Sequence, residues 1–219
     1  MSDSHGSDIP VSSRIRLARN LAGVPFPIAA DNSQLTTVCD AVKSAAEKLQ
    51  CPGKKPLLFE PKTMEPIDRQ VLLERRLASN DFIQRDAGTL LLVSRDESAS
   101  IMVNEEDHLR IQVMNPGFEF DKTWSSLSEM EDRLKQQLDF AWDDRLGYLT
   151  SCPTNVGTGL RASVMLHLPA LVLTNRIGAA IQGISRLSYE ARGFFGEGTE
   201  NTGNLFQISN RSTLGETEE

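Results

Sequence analysis

The sequence predicts an α+β fold with a mainly antiparallel sheet flanked by helices. Short apolar runs are separated by charged turns, which is typical of β-hairpins, and helical patterns interrupt them without strict β-α-β alternation. The 219 residues, 39% of them hydrophobic, are enough for one core. We therefore expect a folded domain over residues 11–210 between flexible tails at 1–10 and 211–219, where apolar periodicity is lacking.

The first half of the chain alternates helical and extended patterns. Ser33 suits the cap of a helix that runs to about Leu49, because apolar residues recur on one face and a Pro-Gly pair follows. A second helix is expected from near Pro66 to around Ser79. The expected strands are Leu57 to Phe59, Thr89 to Val93, Ser100 to Val103 and Leu109 to Met114.

The second half begins with a long amphipathic pattern. Asp121 or Thr123 can cap a helix that runs through Trp142, and Gly147 ends it. The remaining expected elements are a strand at 148–151, a strand at 160–168, a helix at 169–184, a strand at 187–191 and a strand at 204–209.

Charge and cysteine usage restrict the class of protein. The net charge of −7 argues against a general electrostatic grip on nucleic acid. The cysteines Cys39, Cys51 and Cys152 show no paired C-x-x-C spacing, which favours a reducing cytoplasm. No stretch approaches the roughly 20 apolar residues of a membrane span, and residues 1–9 lack a basic start followed by an apolar core, so neither membrane insertion nor export is expected.

A set of arginines indicates an anion site. Any single arginine is more often on a solvated face, but Arg14 and Arg16 are two residues apart, so on an extended segment both project to the same side. A guanidinium group binds phosphate oxygens bidentately and stays charged. The set therefore favours phosphate binding; it consists of Arg14, Arg16, Arg110, Arg161 and Arg192.

Two carboxylates and a thiol complete the candidate site. Residues 104–107, Asn-Glu-Glu-Asp, follow an apolar strand, where a solvated turn is the common alternative. A carboxylate that accepts from two N–H groups can orient a guanidino nitrogen and remove its proton. Glu106 suits this role, with Glu197 as a second carboxylate. Cys152 precedes an amide-rich loop and is expected to position the guanidinium rather than act as a nucleophile, the alternative being a buried structural thiol.

Other familiar site patterns do not match. Gly157-Thr158-Gly159 fits neither a P-loop nor a dinucleotide-binding fingerprint. His108 and His167 lack the spacing of metal ligands, so no metal site is predicted; His108 is expected to form local hydrogen bonds.

Two motifs carry a family resemblance: Cys-Pro-Thr-Asn-x-Gly-Thr at 152–158 and Asn-Glu-Glu-Asp-His-Leu-Arg at 104–110. With these motifs the chain resembles the phosphagen kinases, or ATP:guanidino phosphotransferases, and most closely the bacterial protein arginine kinase branch, from about Val11 to Ser209. The resemblance implies the glutamine-synthetase-like catalytic domain of phosphagen kinases.

The resemblance also implies roles for individual residues. It makes the five arginines phosphate ligands and places Glu106, Glu197 and Cys152 at the acceptor guanidinium. It implies ATP and Mg²⁺ as cofactors. Arg76 stands where the family commonly has a histidine near the adenine. The other residues implied to line the nucleotide are Ser12, Ser13, Ile15, Ala162, Ser163, Val164, Met165, Gly193, Phe194, Phe195 and Gly196.

The implied function is transfer of the γ-phosphate of ATP to arginine residues in proteins, giving N-phosphoarginine and ADP. Kinases of small guanidino metabolites carry a helical N-terminal domain, and only about ten residues precede the Ser-Ser-Arg motif here, which favours a protein acceptor. The C-terminal dimerisation domain of the branch is expected to be absent. Two alternatives are a kinase of free arginine or another guanidino metabolite, and a non-catalytic nucleotide- or phosphoarginine-binding module.

The resemblance implies partners as well. They are protein substrates with exposed arginine, Clp-type protease machinery and a stress-response regulator. No partner nucleic acid or membrane is expected, in line with the net charge and the absence of a long apolar stretch.

Overall fold

The computed structural model describes residues 9–49, 54–85, 88–193 and 202–218. Its strands are β1 (Pro10–Arg19), β2 (Leu57–Phe59), β3 (Leu90–Val93), β4 (Ala99–Val103), β5 (Leu109–Pro116), β6 (Trp142–Asp143), β7 (Gly147–Tyr148), β8 (Leu160–His167), β9 (Tyr189–Gly193) and β10 (Leu205–Asn210). Its α-helices are α1 (Asn32–Ala46), α2 (Pro66–Glu74), α3 (Asn80–Ile83), α4 (Phe120–Lys135), α5 (Pro169–Leu173) and α6 (Ile177–Arg186). In the described ranges, no helix is long and apolar enough to cross a membrane.

One large sheet organises the molecule. Eight strands follow the order β2-β3-β4-β5-β1-β8-β10-β9, and each neighbouring pair described here is antiparallel. The remaining two strands, β6 and β7, form a separate hairpin. The predicted α+β class with a mainly antiparallel sheet is confirmed.

The centre of the sheet is β1, which pairs with β5 on one side and β8 on the other. The sequence predicted only an extended segment around Arg14 and Arg16. Side chains alternate between the two faces of a strand, so Ile15 and Leu17 point to one face while Arg14 and Arg16 point to the other. One strand therefore serves the core and a polar surface at once.

Helices α1 and α4 cover the face of the sheet that carries Ile15 and Leu17, which we call the first face, and they complete the main core. Val42 of α1 and Leu127 of α4 are inaccessible to solvent and pack in one cluster with Leu17, Ile101 and Ile111 of the sheet. Burying a side chain of this size contributes about 1.5–3 kcal/mol. The amphipathic stripes read from the sequence are the faces of α1 and α4 that supply this core.

Helices α2 and α3 cover one end of the second face. Leu72 of α2 and Phe82 of α3 pack on Leu91, Val93 and Met102, which form a smaller apolar cluster. The middle of this face carries the polar side chains of β1, β5 and β8 instead. The uncovered part is the floor of a large cleft.

Two helices in the first half differ from the sequence prediction. The cap of α1 is Asp31 rather than Ser33, because the Asp31 carboxylate accepts from the Gln34 amide at 2.9 Å and the Gln34 side chain accepts from the Asp31 amide at 2.9 Å. Helix α2 ends at Glu74 rather than Ser79, since Arg76 has a φ of 59° that a right-handed helix does not accept. Ser79 caps α3.

Three elements in the second half are also shorter than expected. Helix α4 ends at Lys135, and Trp142 pairs with Tyr148 in the β6-β7 hairpin. The strand predicted over 148–151 reduces to β7. The helix predicted over 169–184 divides into α5 and α6 at Asn175, whose φ is 56°. At Asn175 a left-handed backbone conformation interrupts a pattern that remains apolar.

Segment 211–218 is mostly exposed but contacts the rest of the domain through Thr213 and Glu218, and the flexibility expected of 211–219 stays a prediction. Thr213 is buried and its hydroxyl lies 2.8 Å from the carbonyl of Val156. Glu218 forms a 2.6 Å ion pair with the buried guanidinium of Arg19. Hydrogen bonds rather than apolar periodicity hold this segment, so an apolar pattern could not reveal it.

Replacing Leu127 by alanine should lower the free energy of unfolding by about 2–5 kcal/mol, because the side chain is fully buried between α4 and the sheet. Urea denaturation measures the change. Leu173→Ala is the matched control, since this helical leucine is 81% exposed and should change stability by less than about 0.5 kcal/mol. Equal losses in the two variants would contradict the placement of the core.

Candidate active site

The cleft on the second face holds the predicted arginines together. Its volume is about 1190 Å³. All five lie along its wall, brought there by β1, β5, β8 and β9, and Arg76 joins them from the turn after α2. We call this set the cleft arginines: Arg14, Arg16, Arg76, Arg110, Arg161 and Arg192; Arg85 lines the cleft as well.

Strand register explains why residues so distant in sequence meet. Arg16 lies directly opposite Arg161 on β8, and Arg110 on β5 pairs with Ala18, two residues from Arg16. Gln207 of β10 lies opposite Arg192 of β9. Side chains directly opposite each other project to the same face of a sheet, so the ladder itself gathers the guanidinium groups.

The gathered charges repel each other. Burial, followed by repulsion from Arg110, Arg76 and Arg161, lowers the pKa of Arg14. Burial and repulsion from Arg110, Arg14 and Arg161 lower the pKa of Arg16 as well. Guanidinium groups keep their proton at neutral pH, so the cleft holds concentrated positive charge. A polyanion bound here would relieve that repulsion.

Polar partners that the sequence reasoning missed hold several of these arginines in place. Glu105 accepts from Arg110 and Ser79, both at 2.5 Å, and is itself buried. Glu190 lies 2.8 Å from Arg192 and 3.6 Å from Arg161.

A signal for both acids was present in the sequence. Glu190 precedes Arg192 by two residues on one strand, so the two side chains share a face. Glu105 lies within the acidic run at 104–107, from which the sequence prediction took only Glu106 as a site residue. On the same face, Gln207 accepts from Arg14 at 2.9 Å.

Glu106 and Cys152 lie together at the cleft. Both residues line the cleft, the Cys152 side chain interacts with the Glu106 carboxylate, and the Cys152 thiol lies 3.0 Å from the hydroxyl of Thr154. Burial raises the pKa of Glu106, with repulsion from Asp107 and Glu105 adding to the effect. A carboxyl group whose proton affinity is raised in this way is a better proton acceptor than an exposed one.

Buried hydrogen bonds position this pair. The Asp107 carboxylate accepts from the side chain of Asn20 at 2.6 Å and from the Ser151 amide at 2.7 Å, which ties the residue after Glu106 to the one before Cys152. The side-chain oxygen of Asn20 in turn accepts from the His108 amide at 2.8 Å. The two motifs are therefore held by one network.

His108 supports the network as a neutral imidazole. Its Nδ1 accepts from the Leu21 amide at 3.0 Å, and its Nε2 lies 3.0 Å from the carbonyl of Pro25, which only a protonated nitrogen can satisfy. Burial lowers the pKa of His108. His108 forms hydrogen bonds as predicted, but their partners lie 87 and 83 residues earlier in the chain rather than nearby in sequence.

The predicted nucleotide-lining runs divide between the two faces. Four of their members point to the core rather than the cleft, a correction that follows from strand alternation: Ser13, Ile15, Ala162 and Val164. Ser13 donates to the carbonyl of Gly117 at 2.7 Å. Three others share the face of the arginines without lining the cleft: Ser12, Ser163 and Met165. Gly193 does line it.

The remaining predicted site residues are Phe194, Phe195, Gly196 and Glu197. They lie outside the described residues.

Arg76 lines the cleft, and burial lowers its pKa, while its carbonyl accepts from Gln112 at 2.7 Å. Its contact with an adenine stays a prediction.

Among residues 9–49, 54–85, 88–193 and 202–218, no group of three or more His, Cys, Asp and Glu side chains could hold a metal ion.

Comparison with known proteins identifies the family. Residues 37–219 match the model of the ATP:guanido phosphotransferase C-terminal catalytic domain. The chain belongs to this family. The resemblance seen in the two motifs is confirmed, and both motifs lie within the matched residues, together with Arg76, Arg110, Arg161 and Arg192.

Individual relatives agree with this assignment. The chain is 46% identical over 215 residues to a protein-arginine kinase of Symbiobacterium thermophilum and 48% identical over 215 residues to one of Desulforamulus reducens, covering 97% of this chain in each case. It spans about three fifths of their length, 61% and 60% respectively.

A solved structure has the same fold. The duplicated taurocyamine kinase of Schistosoma mansoni with bound transition-state-analogue components superposes with a TM-score of 0.86 at 26% identity. The match covers 97% of this chain and 31% of that one. The expected phosphagen kinase catalytic fold is confirmed.

Arg161→Gln should weaken ATP binding about tenfold or more, because a charged hydrogen bond to phosphate contributes about 1.5–3 kcal/mol and glutamine removes the charge. Isothermal titration calorimetry measures the dissociation constant. Arg145→Gln is the control, since Arg145 is exposed and away from the cleft. An unchanged dissociation constant in Arg161→Gln would contradict phosphate binding by this arginine.

Proposed function

We propose that this ATP:guanido phosphotransferase domain, residues 11–210, transfers the γ-phosphate of ATP to the guanidino group of an arginine residue in a protein. The products are N-phosphoarginine and ADP. The observation that carries the proposal is the meeting of the cleft arginines with Glu106 and Cys152 in one cavity. The names of the two bacterial relatives support the choice of acceptor.

The arginines serve the phosphate half of the reaction. The triphosphate is anionic throughout, and the phosphoryl group in transfer spreads charge over its equatorial oxygens. Guanidinium groups already held by Glu105, Glu190 and Gln207 need little rearrangement to meet that charge. Arg14, Arg16, Arg110, Arg161 and Arg192 are the proposed phosphate ligands.

Magnesium enters this scheme as part of the substrate, MgATP. Mg²⁺ keeps several waters and usually binds through substrate phosphates together with one or two carboxylates. When bound, it neutralises phosphate charge alongside the arginines.

Glu106 serves the acceptor half. Its carboxylate accepts from two N–H groups of the incoming guanidinium, aims one nitrogen at the γ-phosphorus and takes the proton that this nitrogen loses. The bond from phosphorus to the ADP oxygen breaks as the bond from nitrogen to phosphorus forms. Cys152, which lines the same cleft as Glu106, positions the same guanidinium. Glu197 is the second proposed carboxylate, on the family resemblance alone.

The cellular context is proposed from the same resemblance. The acceptors would be proteins with exposed arginine in the cytoplasm, and the product would be read by Clp-type protease machinery or a stress-response regulator. Arg76 would lie against the adenine, where the guanidinium plane can stack on the base.

Acceptor choice tests the proposal directly. The protein is incubated with MgATP and either casein or free L-arginine, and acid-labile phosphate is measured on each. We expect transfer to casein in preference to the free amino acid. Preference for free arginine would indicate a metabolite kinase, and ATP binding with transfer to neither would indicate a binding module.

Glu106→Gln should reduce kcat on casein about 100-fold or more, because it removes the proton acceptor. The ATP dissociation constant should stay unchanged, since the arginines bind the phosphates. Glu47→Gln, at an exposed position directly after α1, is the charge-matched control. Full activity in Glu106→Gln would remove this residue from the mechanism.

Acidification should weaken the acceptor reaction before it weakens ATP binding. Burial raises the pKa of Glu106, so as pH falls its carboxylate takes up a proton earlier than an exposed glutamate and can no longer accept from the guanidinium. The arginines remain charged throughout. Profiles of kcat/KM for casein and of the ATP dissociation constant against pH make the comparison. A fall of kcat/KM for casein only in the pH range where an exposed glutamate is protonated would contradict this role of Glu106.

A further inference from the structure

Segment 211–218 contacts the loop that carries Cys152. The hydroxyl of Thr213 lies 2.9 Å from the carbonyl of Thr154 and 2.8 Å from that of Val156, so its one proton serves this pair of acceptors. The carbonyl of Thr213 accepts from the Thr158 amide at 3.1 Å and lies 3.3 Å from the Thr158 hydroxyl. Thr213 is buried, so these bonds are shielded from water.

A glycine makes the close approach possible. Gly157 has a φ of 109°, and a β-carbon at this position would lie 2.4 Å from the carbonyl oxygen of Thr213. Any side chain would therefore separate segment 211–218 from the loop. The Gly157-Thr158-Gly159 run, which fits no phosphate-binding motif, has a packing role here.

Arg19 holds the loop from the other side. Its guanidinium is fully buried and donates to the carbonyl of Thr158 at 2.7 Å and to Glu218 at 2.6 Å. It also donates to Glu131 of α4 at 2.6 Å and stacks on the ring of Tyr148 at 3.4 Å from the centroid. Thr158 is thus fixed at its amide by Thr213 and at its carbonyl by Arg19.

These contacts lead to the reacting groups through Thr154. The backbone carbonyl of Thr154 is held by Thr213, and its hydroxyl lies 3.0 Å from the thiol of Cys152. Cys152 and Glu106 line the same cleft, and their side chains interact. A displacement of Thr213 therefore moves the Thr154 backbone and then the Cys152 thiol, and it changes the interaction of that thiol with the Glu106 carboxylate.

We infer that Thr213 is a positioning residue for the acceptor half of the site, acting on Cys152 and Glu106 through the loop at 152–158. The inference rests on the proposed function for its kinetic consequence only. The placement of the Cys152 thiol is a property of the folded chain, and it is measured without turnover.

Thr213→Val tests the inference, because valine keeps the shape of threonine and removes the hydroxyl. Alkylation of Cys152 by iodoacetamide, followed by mass spectrometry of its peptide, should be about tenfold faster, since loss of a buried hydrogen bond frees the loop. The KM for casein should rise about tenfold while the KM for ATP stays unchanged. Thr213→Ser, which restores the hydroxyl, should return both values toward wild type.

Ser212→Ala is the control, because Ser212 is exposed and adjacent. It should leave the alkylation rate and both KM values unchanged. Thermal unfolding of each variant separates positioning from stability, since a lower Tm with an unchanged alkylation rate at 25 °C would overturn the inference. Equal rises in KM for casein and ATP would overturn it too.

Glu218→Gln gives an independent measurement should Thr213→Val fail to fold. It removes the charge that Arg19 pairs with, and the Cys152 alkylation rate should again rise; an unchanged rate would overturn the inference. Wild-type protein that transfers phosphate to no acceptor would refute the proposed function alone. The alkylation rates would still decide the role of Thr213.

Discussion

Repulsion among guanidinium groups on one face of the sheet is the constraint on which the rest of this structure depends. The register of β1 with β5 and β8 places Arg16, Arg110 and Arg161 side by side, where burial adds to the cost of their charge. The sheet is rigid enough to hold them because its other face is packed by α1 and α4. The same charge makes the cleft suited to a polyphosphate.

Acidic and amide side chains moderate that repulsion without cancelling it. Glu105 pairs with Arg110, and Glu190 lies between Arg161 and Arg192, so the arginines are oriented before any ligand arrives. A site built in this way needs little reorganisation when charge develops during phosphoryl transfer. Preorganisation of this kind explains why charged residues lie in a region that would otherwise favour apolar packing.

The acceptor side depends on a different interaction, a buried polar network. Asp107 joins the strand end that carries Glu106 to the loop that carries Cys152, while Thr213 and Arg19 hold that loop from behind. Half-satisfied networks of buried polar groups are unfavourable, so each member constrains the others. One half of the cleft thus consists of charged arginines, and the other half is held in place by buried hydrogen bonds.

The sequence by itself determined the local features: the amphipathic stripes of α1 and α4, the alternation that puts Arg14 and Arg16 on one side, and the two motifs around Glu106 and Cys152. These depend on periodicity and residue chemistry within short windows. Only the tertiary structure decided which strands neighbour β1, and hence that Ile15 serves the core. It also decided that Glu190 meets two arginines and that Thr213 reaches the loop at 152–158. Such contacts join residues far apart in the chain, and neither spacing nor local propensity encodes them.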